Sequence, residues 1–190
     1  MQLIDDRVIV DTRRWLERAV IGLNLCPFAK AVHVKGQIRY VVSAATTAQA
    51  LAEDLHRELE FLAEASTEHV DTTLLIHPNV LNDFLDYNDF LDIADGIVKE
   101  LELDGIIQVA SFHPQFQFED TFADDITNFT NRSPYPTLHL LREDSVERAV
   151  AVFPDELAIT NTNIKTLGKL GHEGWAALGL TTEAGSPDTG

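Results

Sequence analysis

Apolar and polar positions alternate along this chain with two different periods. Val8, Thr12, Trp15, Leu16, Ala19 and Leu23 recur at helical spacing, which predicts a helix over 5–23 with one buried face. Residues 37–43 (QIRYVVS) alternate and are rich in β-branched and aromatic side chains, so they predict a first strand. Thr46-Thr47-Ala48-Gln49 reads as a capping box, and Leu51, Leu55, Leu59 and Leu62 give a helix over 47–65 its apolar face. The short apolar run 72–76 (TTLLI) suits a buried second strand.

A helix is expected over 80–103, with a break and a new cap near Asn88 and a core face of Phe84, Tyr87, Leu91, Ala94, Val98 and Leu101. Its Asp83, Asp86, Asp89, Asp92 and Asp95 drift around the helix, which describes a solvated acidic face better than a compact metal site. Asp104-Gly105 turns the chain into strand three, 106–110, and 137–141 (TLHLL) forms strand four. A helix follows from Asp144 or Ser145 through about 152. A last one starts near Pro154, buries Leu157, Ile164, Leu167 and Leu170, and stops at Gly171. Trp175 is expected to pack back on the fold.

Strands alternating with helices predict a single α/β domain over 1–179. Its sheet has about four mostly parallel strands flanked by helices; an α+β ferredoxin-like arrangement is the alternative. The tail 180–190 has little apolar material and reads as disordered.

Composition narrows the function classes. The 190 residues carry 31 acids against 14 bases, a net charge of −17, which argues against nucleic acid as a general partner because phosphate is repelled. No apolar run reaches the length of a membrane span. A single cysteine forms no intrachain disulfide, and the acidic first residues do not resemble a secretion signal, so a cytoplasmic location is expected.

In a parallel sheet, ligands bind beyond the carboxyl ends of the strands. Three strands here end in polar residues: Ser43, His77 with Asn79, and Ser111 with His113. If they share one edge, His77 and His113 become candidates for proton transfer. Opposed strand directions would place the two His-Pro motifs at opposite ends.

Cys26 precedes Pro27 and is expected to cap a short helix, where a thiol can become acidic and nucleophilic; a buried structural thiol is the other reading. Cys26, His77 and His113 are also a candidate zinc set, completed by His139 or water, although their spacing matches no common zinc motif. The histidines equally suit loop-fixing hydrogen bonds beside their prolines.

The stretch 111–142 concentrates the remaining polar chemistry. Asn128, Asn131, Arg132 and Ser133 sit beside Pro134 and Pro136, which stiffen the backbone around an arginine whose planar fork suits carboxylate or phosphate. Arg132 and Asn131 are therefore candidate anchors for a small anionic metabolite. An internal clamp from Arg132 to Asp124 or Asp125 is the competing reading. Arg7, Arg14 and Arg18 form a strip on the first helix, either salt-bridged or a docking surface.

The blocks TRRWLERAVIGLNLCPFAKAVHVKG, DTTLLIHP, DFLDYNDFLDIAD, ASFHPQFQF and NFTNRSPYPTLHLLRE occur here in one order. From about 12 to 175 the chain resembles the bacterial family called domain of unknown function 1415. That resemblance implies a cytosolic bacterial protein and no particular activity. Two functions therefore stand: a small-molecule enzyme with Cys26 as nucleophile or ligand, or a non-catalytic metal- or metabolite-binding protein or adaptor.

Overall fold

The computed structural model describes residues 2–151 and 156–180. Four strands form one sheet, β1 (Ile38–Val42), β2 (Thr72–Ile76), β3 (Ile107–Phe112) and β4 (Thr137–Arg142), in the order β1-β2-β4-β3. β1 and β2 are parallel, and β4 runs antiparallel to both β2 and β3. The sheet is mixed, so the mostly parallel expectation is corrected. The cause lies in the connections. α3 (Ala48–Glu64) and α4 (Phe84–Glu100) are crossovers that keep β1, β2 and β3 pointing one way. The chain after β3 has only a short 3-10 turn (Ile126–Thr130) and no crossover helix, so it returns antiparallel into the gap between β2 and β3.

Because β2 and β3 are both antiparallel to β4, their carboxyl ends lie at the same edge. That edge is extended by loop backbone: His77 N donates to Pro136 O at 3.0 Å and His113 N to Asn131 O at 3.1 Å.

One face of the sheet is covered by α3 and α4. The four leucines of α3 are fully buried against Leu75, Leu138, Leu140 and Ile107. Thr47 caps α3 by accepting from Ala50 N at 3.2 Å, as its sequence demands. α4 starts later than expected, with Asp83 as its cap, and Asn88 lies inside an unbroken helix. Its buried side is Tyr87, Phe90, Ala94, Ile97 and Val98, while the aspartates on the opposite side are exposed.

The other face is covered by α1 (Gln2–Trp15), its π-helical continuation Leu16–Ile21, and α2 (Ala29–Val34). Gly22 closes the π turn; a Cβ there would lie 2.3 Å from the Arg18 carbonyl oxygen. α5 (Glu143–Val150) follows β4 directly. α6 (Glu156–Ala176) breaks at Gly171, whose φ of 63° and ψ of 178° leave the helical region and let a last turn carry Trp175 to the α1 side. Leu167 is buried as expected, but Ile164 is exposed. Of the expected disordered tail, residues 181–190 lie outside the described residues, as does the segment 152–155 around Pro154. Among the described residues no helix is long and apolar enough to cross a membrane.

Candidate functional site

Side-chain parity decides which residues meet at the carboxyl edge. Ile76 and Phe112 face the α1 side, so the next residues, His77 and His113, turn to the α4 side. There they stack on Tyr87, with ring centroids 5.7 Å and 5.1 Å from it. Both imidazoles are fully buried. His77 Nδ1 donates to Val80 O at 3.0 Å. His113 Nδ1 accepts from Gln115 N at 3.0 Å, which fixes its proton on Nε2, and that nitrogen donates to Leu81 O at 3.1 Å. Leu81 adopts a left-handed φ of 56°, so the two rings pin a strained loop ahead of α4. Burial pushes the His77 pKa down to about 4, with His113 nearby adding to it, and burial also lowers His113. Both rings are held neutral in opposite tautomers. Tyr87 completes the cluster by donating to Thr137 O and accepting from Phe112 N.

Cys26 is on the other side of the sheet. It lies in the turn before α2 and packs with Ile38, the Trp15 group and the Phe28 group. With Thr72, His139 and nine apolar or aromatic residues it lines a small cavity of about 40 Å³. Burial pushes its thiol pKa up, outweighing the Ala29 and Phe28 backbone N–H groups that pull it down. The expected cap position is corrected: Phe28, not Cys26, is the cap of α2, and at Cys26 desolvation is the largest influence on the thiol. His139 is also neutral, with its pKa pushed down to about 4 by burial. Thr72 donates its hydroxyl to Leu140 O at 2.6 Å and accepts from His139 Nε2 at 2.7 Å.

The candidate zinc set is thus divided by the sheet, with His77 and His113 on the α4 face and Cys26 and His139 on the α1 face. Among the described residues no three His, Cys, Asp or Glu side chains are placed to hold a metal. The arginine strip is also tied: Arg7 and Arg14 lie 3.8 Å and 3.1 Å from Asp11, and Arg18 donates to Leu178 O at 2.9 Å.

The loop from β3 to β4 behaves differently. Asn128 is fully buried and organises it, accepting from Phe118 N and Thr121 Oγ1 and donating to Phe122 O. Asn131 donates to Ser111 O at 3.1 Å. Ser133 donates to Tyr135 O at 2.6 Å. These three groups build the loop around Arg132.

Arg132 Nε donates to Phe116 O at 3.2 Å and Nη2 to Ala123 O at 2.5 Å, while its guanidinium lies 4.3 Å over the Phe129 ring. The expected clamp to Asp124 or Asp125 is not formed; Asp125 instead caps the 3-10 turn through Thr127. Arg132 therefore has no carboxylate partner among the described residues. It lines an open cavity of about 160 Å³ together with Trp15, Pro114, Phe129, Ser133, Pro134, Trp175, Ala176 and Leu180. Trp15, Phe129 and Trp175 escaped the sequence reading as site residues. They come from three separate segments, and only the three-residue spacing of Phe129 and Arg132 is a local signal.

No curated protein and no solved structure matches the chain. A family model described as protein of unknown function (DUF1415) matches residues 7–177. With nearly the whole described fold inside that match, the chain belongs to the DUF1415 family.

Proposed function

We propose that this protein binds a small anionic molecule in the cavity beyond the carboxyl end of β3, with Arg132 as its anchor. The observation that carries this is the state of Arg132. Its guanidinium is fixed by two carbonyl oxygens and a ring face, and among the described residues no carboxylate neutralises it. The chain as a whole carries −17, a field that repels anions and is screened beyond about 8–10 Å. An anionic ligand needs a local cation held in place, and Arg132 meets that need.

The reading is one of binding rather than catalysis. Among the described residues the cavity wall contains no imidazole, thiol or carboxylate. His77 and His113 are buried on the opposite face with their protons fixed, and Cys26 sits in a different cavity. Arg132 is the anchor, Ser133 shapes the wall, and Asn128 and Asn131 hold the loop.

Chemical denaturation with sodium acetate or phosphate, against sodium chloride at equal ionic strength, tests it. The parent protein gains stability with the anion, and Arg132→Lys loses about 1–3 kcal/mol of the anion-dependent increment, the scale of a charged hydrogen bond. A parent protein that no small anion stabilises beyond chloride would contradict the proposal.

A further inference from the structure

Resting on the anion-site reading above, we infer that the ligand is an aryl-substituted carboxylate: one aromatic ring joined, directly or through a short chain, to a single carboxylate group. The chain has two tryptophans, and both line this one cavity. Trp15 is nearly fully buried and packs edge-on against Phe112, with centroids 5.2 Å apart, so it forms a fixed wall. Trp175 is brought across by the break at Gly171 and meets Phe129 edge-to-face, at 5.0 Å and 72°. Pro114, Pro134, Ala176 and Leu180 add apolar lining, and Ser133 is the one uncharged polar residue among the described lining residues. Aromatic walls set at steep angles favour a planar ring, which pairs with them edge-to-face or offset.

The cationic end selects the other half of the molecule. Phe129 covers the face of the Arg132 guanidinium, and Nε and Nη2 already serve two carbonyls. Nη1 has no partner among the described residues and is not buried, so the outer edge of the fork remains for a planar two-oxygen acceptor. Among the described residues Arg132 is the only charged one in the lining, which suits one negative charge better than a phosphate dianion. A volume of about 160 Å³ is roughly five times the ~30 Å³ share of a water molecule, room for a ring and its acid group.

Intrinsic fluorescence reports this cavity, because both tryptophans line it; Trp15 also borders the Cys26 cavity, and Trp175 lines the Arg132 cavity alone. The parent protein is titrated with 3-phenylpropanoate, acetate, inorganic phosphate and the neutral 3-phenylpropanol. The aryl acid is expected to change the emission and to bind at least about tenfold more tightly than acetate or phosphate, the scale of ring pairing. Trp175→Leu, checked for a native circular dichroism spectrum, should remove that preference, read as the ratio of aryl-acid to acetate affinity. If acetate or phosphate binds within tenfold of the aryl acid, the aryl inference is overturned while the anion site stands. If 3-phenylpropanol binds as well as the acid, or if no anion binds, Arg132 is not an anion anchor and both readings fall.

Discussion

The same edge of the sheet carries two polar regions that end in opposite states. On the α4 side, His77, His113 and Tyr87 form a closed cluster in which five of six ring and hydroxyl hydrogen-bonding sites are engaged with backbone. The sixth, His77 Nε2, is buried without a partner among the described residues. On the α1 side, Arg132 is also held by backbone carbonyls, yet it keeps its charge at the wall of a cavity, with one nitrogen unpartnered among the described residues. Polar residues after a strand look alike in sequence. What separates them is whether the leftover group is sealed in the core, as His77 Nε2 is, or opens on a cavity, as the Arg132 fork does.

The largest expected effect comes from acid. The folded pKa of His77 and of His139 is about 4, against an ordinary 6.5. Between those values the unfolded chain binds protons that the folded rings refuse. Stability is therefore fully present above about pH 6.5 and falls as pH drops toward 4, by about 3 kcal/mol per ring. Urea unfolding across that range measures it; a flat profile would mean that the rings are not held neutral. The closed cluster is also sensitive to one atom. Tyr87→Phe leaves Thr137 O and Phe112 N without their partner in a buried site and should cost about 2–4 kcal/mol.

On the open side the costs are smaller. Arg132→Lys keeps the charge but breaks the pair of bonds to Phe116 O and Ala123 O, and should lower ligand-free stability by about 1–2 kcal/mol. A loss equal to that of Tyr87→Phe would erase the contrast between the regions. Cys26 should react with iodoacetamide no faster than an ordinary thiol near neutral pH, because its pKa is raised. Faster reaction would restore it as a nucleophile. Smallest of all, Asp92→Asn on the exposed face of α4 should stay within about 0.5 kcal/mol.

The elements were legible wherever one period dominated. Leu51, Leu55, Leu59 and Leu62 announce α3, and β2 begins and ends where its apolar run does. Strand direction was not legible from local pattern. The helix-free stretch before β4 was its one sign, because a parallel neighbour needs a crossover. The site was half legible. Arg132 stood out beside its prolines, but its cage of Trp15, Phe129 and Trp175 exists only after three distant segments pack. Which groups Cys26 and the His-Pro motifs meet was not legible, because that depends on which sheet face they occupy. For His77 and His113 that follows from a parity counted back from Ile76 and Phe112, whereas Cys26 sits in a turn that covers the opposite face.

The contrast between a closed histidine cluster and an open arginine is tested most directly by the imidazole nitrogen resonances of histidine-labelled protein near pH 7, with and without saturating 3-phenylpropanoate. His77 should appear as the neutral Nδ1–H tautomer and His113 as the neutral Nε2–H tautomer, and neither should change tautomer when the anion is added. Protonation of either ring near pH 7, or a tautomer change on anion binding, would contradict the account and return proton transfer to this edge.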